Sequence, residues 1–251
     1  MVKSVLKTIL PTQARVACRD LYERVEPLLY LGWSVECPCC GTHQRTFLPH
    51  GTPLRKNARC WKCGALERHR LLYRYLKART NLFTDRLRLL HFAPEAILGG
   101  IFSQLPNLEY VTTDYCHPSK VKMDITSLAL QANSVDAIIC VHVLEHIPDD
   151  RSAMAELRRV LKPGGWAIIQ VPLCTERERT YEDFSITDPK QRFIHFGQED
   201  HVRIYGNDYR NRLEQAGFEV VVEPPSSFCA AEDQRYYGLP HEDIYCCKKL
   251  A

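Results

Sequence analysis

Nowhere in the 251 residues is there an apolar run approaching the roughly 18 to 20 residues that a membrane-spanning helix needs, so no spanning helix is expected. The separate basic and apolar stretches of a secretory signal are also missing, because Lys3 and Lys7 stand inside the short apolar pattern of Met1 to Pro11. The default expectation is therefore a cytoplasmic protein. There is no internal repeat and no low-complexity segment, which argues against solenoids and linkers. Twelve cysteines would suggest disulfides in a small secreted domain, but with no such signal, reduced thiols, some of them bound to metal, are expected.

What is present fits a globular chain with a full core: 45% hydrophobic and 25% charged residues. The net charge of +3 conceals an asymmetry. Residues 1 to 89 hold 17 Lys or Arg against 6 Asp or Glu, a net +11, whereas residues 90 to 251 hold 16 against 24, a net −8. A basic front portion suits nucleic acid, an anionic membrane surface or a phosphorylated substrate, and equally suits solvated helix faces.

Two helical patterns open the chain, Val2 to Ile9 and Val16 to Leu29, and form an N-terminal segment over 1–33. Residues 1–30 suit peripheral membrane contact, a partner helix or packing on their own domain. Residues 34–65 lose apolar periodicity and gain cysteine, glycine and proline, marking a small metal-dependent module. A helix is expected from Leu66 to Thr80. Strands at 87–92, 110–113, 136–141 and 166–171, a helix from Asp149 to Leu161 closed by Lys162-Pro163-Gly164-Gly165, a helix at 208–216 and closing strands at 218–222 and 243–247 follow. Alternating units of this kind imply an α/β fold with a mainly parallel sheet and helices on both faces, occupying 66–251.

Cys37-Pro38-Cys39-Cys40-Gly41 and Cys60-Trp61-Lys62-Cys63-Gly64 are two Cys-x-x-Cys pairs 19 residues apart, each trailed by glycine. Such a spacing suits one tetrahedral Zn2+ held by Cys37, Cys40, Cys60 and Cys63, with Cys39 left over inside the first turn. Four protein ligands leave no open position, so the zinc is expected to be structural. A redox role is the competing reading of a Cys-x-x-Cys pair. Arg55, Lys56, Arg59, Lys62, Arg68 and Arg70 flank the module and suit phosphate contact, but only Trp61 and Phe47 offer stacking surfaces for RNA.

The stretch Val135-Asp136-Ala137-Ile138-Ile139-Cys140-Val141-His142-Val143-Leu144-Glu145-His146-Ile147-Pro148-Asp149, followed by Glu156-Leu157-Arg158-Arg159-Val160-Leu161-Lys162-Pro163-Gly164-Gly165, resembles the fourth-strand region and the approach to the fifth strand of class I methyltransferases that use S-adenosylmethionine. With the Cys-Gly pairs and His91-Phe92-Ala93-Pro94-Glu95, it is similar to a bacterial group carrying an N-terminal zinc ribbon. The resemblance implies a Rossmann-like fold of seven strands. It also implies S-adenosylmethionine contacts by His91, Phe92, Ala93 and Pro94 where the family has a Gly-x-Gly-x-Gly loop, by Asp114 (ribose) and Tyr115, by Asp124 (adenine amino group) and Ile125, and by His142, Val143 and Leu144. A helix-cap role is the alternative for Asp124. The same residues also spell His-x-x-Glu-His, a zinc-protease pattern that needs both histidines on a helix; a preceding strand and Pro148 argue against it.

Acceptor residues are expected from the insert 173–206. There His201, beside Asp200, is expected as general base, Arg203 as the grip on an acceptor anion, and His195 as a further catalytic group. The leading expectation is methyl transfer to an O or N atom of a small-molecule or glycan-type acceptor. The alternatives are methylation of RNA or protein with the ribbon as docking module, and a non-catalytic binding module of the same fold. The oligomeric state is left open by the sequence.

Overall fold

The computed structural model describes residues 29–51, 53–113 and 122–250. The expected helices at 2–9 and 16–29, and the membrane contact assigned to residues 1–30, fall essentially outside them. Two compact units emerge, one of residues 1–74 with 229–240 and the other of residues 75–228 with 241–251. The sequence-based boundary between 65 and 66 follows a different line, since residues 66–74 and a C-terminal segment group with the cysteines. Among the described residues no helix is long and apolar enough to cross a membrane.

The first unit holds two antiparallel hairpins, β1 (Val35–Cys37) with β2 (Thr42–Gln44) and β3 (Leu48–His50) with β4 (Arg55–Arg59). Each Cys-x-x-Cys forms a tight turn: Gly41 N–H donates to the Cys37 carbonyl and Gly64 N–H to that of Cys60. Both glycines sit at positive φ, +68° and +77°, the region that side chains resist. Helix α1 (Glu67–Arg79) begins in this unit.

The second unit is built on a six-stranded sheet of β5 (Leu87–Phe92), β6 (Leu108–Thr113), β7 (Val135–Val141), β8 (Leu161–Gln170), β11 (Glu219–Glu223) and β12 (Ile244–Lys248). The order is β11-β12-β8-β7-β5-β6, parallel from β8 to β6 and antiparallel at the β12 end. The family likeness led us to expect seven strands; the described residues contain six in this sheet. Residues 122–125, which follow the undescribed 114–121, carry no strand.

β5 and β7 are buried along nearly their whole length, as central parallel strands covered on both sides must be. Helix α3 (Asp150–Val160) lays Ala153, Met154, Leu157 and Val160 into the core. Asp149 caps it, its carboxylate accepting from Ser152 N–H at 3.0 Å. Each large apolar side chain of that stripe contributes about 1.5–3 kcal/mol. Helix α5 (Tyr209–Gln215) and the β11–β12 hairpin close the unit near their expected places. Some short elements were not assigned from the sequence: the ladder of β9 (Tyr181–Glu182) with β10 (Arg203–Ile204), α6 (Ala231–Tyr236) of the first unit, and α4 (Pro189–Phe196), although its capping Asp188, first-turn Pro189 and closing Gly197 are helix signals; α2 (Ala96–Phe102) follows Pro94.

Candidate active site and cysteine centre

Parallel strands deliver their loops to one edge of a sheet, and ligands of open α/β folds bind at that edge. Here a cleft of about 690 Å³ lies there, lined by residues that follow β5, β6 and β7, among them Phe92, Ala93, Asp124, Ile125, His142 and Val143. That volume is in the range of small-molecule sites, about 300–1,000 Å³. Two non-glycine residues on it hold left-handed backbone, Ala93 at φ +42° and His142 at φ +54°. Each ends a central strand with a sharp reversal, the strained geometry that accumulates at functional sites.

Five of the expected cofactor residues face elsewhere or are undescribed. His91 is fully buried behind β5, its Nδ1 2.9 Å from the Tyr110 hydroxyl and its Nε2 3.5 Å from Glu95. Leu144 is core. Asp114 and Tyr115 lie outside the described residues. Pro94 is half-buried at the start of α2, outside the cleft lining. Asp124 does line the cleft, and its Oδ1 accepts from the backbone N–H and the hydroxyl of Thr126 at 2.8 and 2.7 Å. Those hydrogen bonds hold its carboxyl below the usual range, so it presents a charge to the cleft.

The turn after β7 carries the densest ionisable group. A single 3-10 turn, Leu144–His146, follows His142, so the two histidines of the His-x-x-Glu-His pattern do not share an α-helical face. Glu145 is buried, its Oε1 3.2 Å from His142 Nδ1. His146 lines the cleft with its Nδ1 3.3 Å from Asp200, and its ring meets that of His201 edge-on at 4.7 Å. His201 is buried and sits behind the cleft wall rather than on it. Burial lowers its pKa, against the opposing pull of Glu145, so its imidazole is neutral at neutral pH.

Arg203 was expected to grip an acceptor anion, but its surroundings serve another purpose. The guanidinium is fully buried and its donors are spent inside the fold, on the carbonyls of Leu144 (2.9 Å), Ile147 (2.6 Å) and Pro148 (2.8 Å) and on Glu182 (3.0 Å). It fixes the turn that carries Glu145 and His146. His195 is exposed on α4, bonded to the Tyr181 hydroxyl at 3.1 Å, and does not line the cleft. His146, Asp149 and Asp200, none of which was assigned a site role of its own, line the cleft, and Glu145 is buried next to His146 in the same turn. The signal for Glu145 and His146 was available in the Leu-Glu-His turn itself.

In the first unit the four expected cysteines converge. Their sulfurs lie within 4.8 Å of one another, with Cys37 to Cys63 at 3.7 Å and Cys40 to Cys60 at 3.8 Å. A tetrahedron with Zn–S bonds of about 2.3 Å has edges of about 3.8 Å, so the residues fit that ion. Cys39 stands apart, its sulfur 3.9 Å from the His69 carbonyl. Beneath the cluster Arg70, fully buried, donates to the carbonyls of Ala58, Ala65, Asn57, Tyr237 and Gly238, and stacks on Phe47 at 3.7 Å. Gly238 at φ +57° makes room: a Cβ there would stand 2.7 Å from the Phe47 ring.

Comparison with known proteins bears on the second unit. Residues 103–169, from the end of α2 into β8, match the family model described as a methyltransferase domain. A ubiquinone biosynthesis O-methyltransferase of Albidiferax ferrireducens is 33% identical over 72 residues, which make up 28% of this chain and 25% of that protein. An uncharacterized 37.1 kDa protein in transposon TN4556 of Streptomyces fradiae is 34% identical over 71 residues, 28% and 21% of the two chains. The chain thus spans a quarter or less of the length of these curated relatives. Among solved structures, the [4+2]-cyclase SpnF superposes with a TM-score of 0.50 at 17% identity, over 92% of this chain and 96% of that one. This last likeness is one of fold, and fold does not fix reaction. The second unit thus matches a methyltransferase domain model over residues 103–169 and carries a Rossmann-like, mostly parallel sheet.

Proposed function

We propose that the cleft at the ends of β5, β6 and β7 binds S-adenosylmethionine and that the protein transfers its methyl group to an O or N atom of a small-molecule or glycan-type acceptor. The observation that carries this reading is the cleft itself: it lies at the strand ends, within and beside the segment matched by the methyltransferase model, and it joins an apolar floor to a charged rim. Bound there, the cofactor supplies a methyl already activated by its sulfonium, so the protein's task is alignment and exclusion of water. Phe92, Ile125 and Val143 supply apolar surface. Ala93, in left-handed backbone with a side chain of one methyl, stands in for glycine where the chain must come close to a ligand. Asp124 takes the adenine end, and Asp114 with Tyr115 the ribose, as the family resemblance implies. His146 and Asp200 face the cleft from the acceptor side. In the first unit, Cys37, Cys40, Cys60 and Cys63 hold a structural zinc.

Isothermal calorimetry of the purified chain with S-adenosylmethionine and S-adenosylhomocysteine tests this reading. One site per chain is expected, retained in Ala93→Gly and weakened about tenfold or more in Ala93→Val, whose branched Cβ resists positive φ. Failure of both ligands to bind overturns it. A metabolite screen for acceptor-dependent formation of S-adenosylhomocysteine then identifies the acceptor.

A further inference from the structure

The turn after β7 brings together three groups of a kind that bind transition metals. Glu145, His146 and His201 each offer a ligand atom, and the three atoms lie within 4.8 Å of one another. Two of the three side chains are buried, Glu145 at 2% and His201 at 6% exposure. Glu145 Oε2 has no hydrogen-bond partner, although a buried carboxylate oxygen left alone is costly. Its other oxygen contacts His142 at 3.2 Å. The surroundings resemble the outer shell of a metal site. Asp200 stands 3.3 Å from His146 Nδ1, a kind of partner that orients metal-bound histidines. The backbone is fixed as well: Val202 N–H donates to the Glu145 carbonyl at 2.9 Å, and Arg203 holds the carbonyls of Leu144 and Ile147 on either side.

We propose that Glu145, His146 and His201 form a second metal site, separate from the cysteine cluster, which takes a divalent transition-metal ion and presents it to a hydroxyl oxygen of the acceptor. Two imidazoles and one carboxylate select ions such as Zn2+, Fe2+ or Co2+ over Mg2+ and Ca2+, which prefer all-oxygen shells. Three protein ligands leave coordination positions open, and His146 and Asp200, which line the cleft, turn the site toward it. This assignment gives His201 the role of ligand instead of general base, in keeping with its place behind the cleft wall. It also favours oxygen over nitrogen as the methyl acceptor, and in that respect it rests on the function proposed above.

The test is Co2+ titration of the full chain with its cysteine-bound zinc in place, followed by visible absorption. A histidine-carboxylate site gives d–d bands without the near-ultraviolet charge-transfer band of thiolate ligation. Saturation at one Co2+ per chain is expected, with apparent affinity falling about tenfold or more in His146→Ala and in His201→Ala. His146 is about one-third exposed, so its replacement leaves the fold intact even where a change at buried His201 disturbs it. No saturable d–d signal in the wild-type chain, or equal affinity in His146→Ala, overturns the site. Calorimetry with S-adenosylmethionine on the same preparation keeps the two readings apart: Co2+ binding without cofactor binding sinks the methyltransferase reading alone, and cofactor binding without Co2+ binding sinks the metal site alone.

Discussion

Among the described residues, the cysteine-bearing unit and the sheet unit each bury one arginine completely, and the two guanidiniums differ in their partners. Arg203 of the sheet unit lies between carbonyls and two carboxylates, Glu182 at 3.0 Å and Asp150 at 3.6 Å, and Arg212 bonds the same two acids. Arg70 of the other unit hydrogen-bonds five carbonyls and no carboxylate. Burial lowers its pKa, while the nearby Cys37, followed by Glu67 and the cysteines 39 and 60, pulls the other way. A zinc ion held by four thiolates as proposed would carry a net charge of −2, and the buried cation would then sit near the anion that compensates it. In the sheet unit a continuous apolar core bears the stability and the polar network locks one turn in place. On the proposed zinc assignment, the smaller unit would depend on its charged centre for cohesion.

Four experiments would break or sharpen this contrast. The largest effect is expected from Cys60→Ala or from chelation of the zinc, since structural zinc contributes about 10–16 kcal/mol to small metal-folded modules. Hydrogen exchange should then lose protection across 35–74 and 229–240 while β5, β7 and β8 keep theirs; equal loss in both units would erase the distinction. Arg203→Met leaves Asp150 buried with one cation fewer and frees three carbonyls, and should cost about 3–5 kcal/mol by denaturant titration. A cost below about 1 kcal/mol would mean that Arg212 serves both acids by itself.

Arg70→Lys should cost about 2–3 kcal/mol, because an ammonium has three donors where five carbonyls wait. That loss should appear in the cysteine unit's exchange alone. The smallest effect concerns acid. Burial tends to raise the pKa of Glu182, but the hydrogen bonds from Arg212 and then Arg203 outweigh it, and the net shift is downward. A lowered folded pKa gives stability that is present above the unfolded value near 4.5 and is lost as pH falls through the folded one. Glu182→Gln should therefore flatten the stability curve below about pH 4.5, by about 1 kcal/mol or less because the group is one-third exposed.

Much of this was legible in the sequence, for identifiable reasons. Apolar runs such as Leu89-Leu90 and Ile138-Ile139-Cys140 and the capped stripe of α3 follow periodicities that packing enforces, and the helix and strands came close to their expected bounds. The cysteine spacing is set by tetrahedral chemistry. What the sequence hid was direction. His91 and Phe92 are adjacent and equally plausible on paper, yet strand alternation sends one inward to Tyr110 and the other to the cleft. Arg203 reads as a substrate clamp until its carbonyl partners, 55 to 59 residues earlier in the chain, are seen. The segment 229–240 carried no sign that it groups with the cysteines, since part of its contribution is backbone carbonyl oxygens, which every residue possesses.

That last contribution sets an order of events during synthesis. The carbonyls of Tyr237 and Gly238 that Arg70 needs are 167 and 168 residues downstream of it. At elongation rates of about 5–20 residues per second they emerge roughly 8 to 34 s after Arg70 itself. If the four thiols hold zinc as proposed, they can take it up long before then, whereas Arg70 stays without two of its acceptors until the sheet-forming segment has been made. A ribosome stalled anywhere before Tyr237 therefore holds an unfinished module even where its four cysteines are in place, and completion of the cysteine unit reports that the intervening segment has been translated.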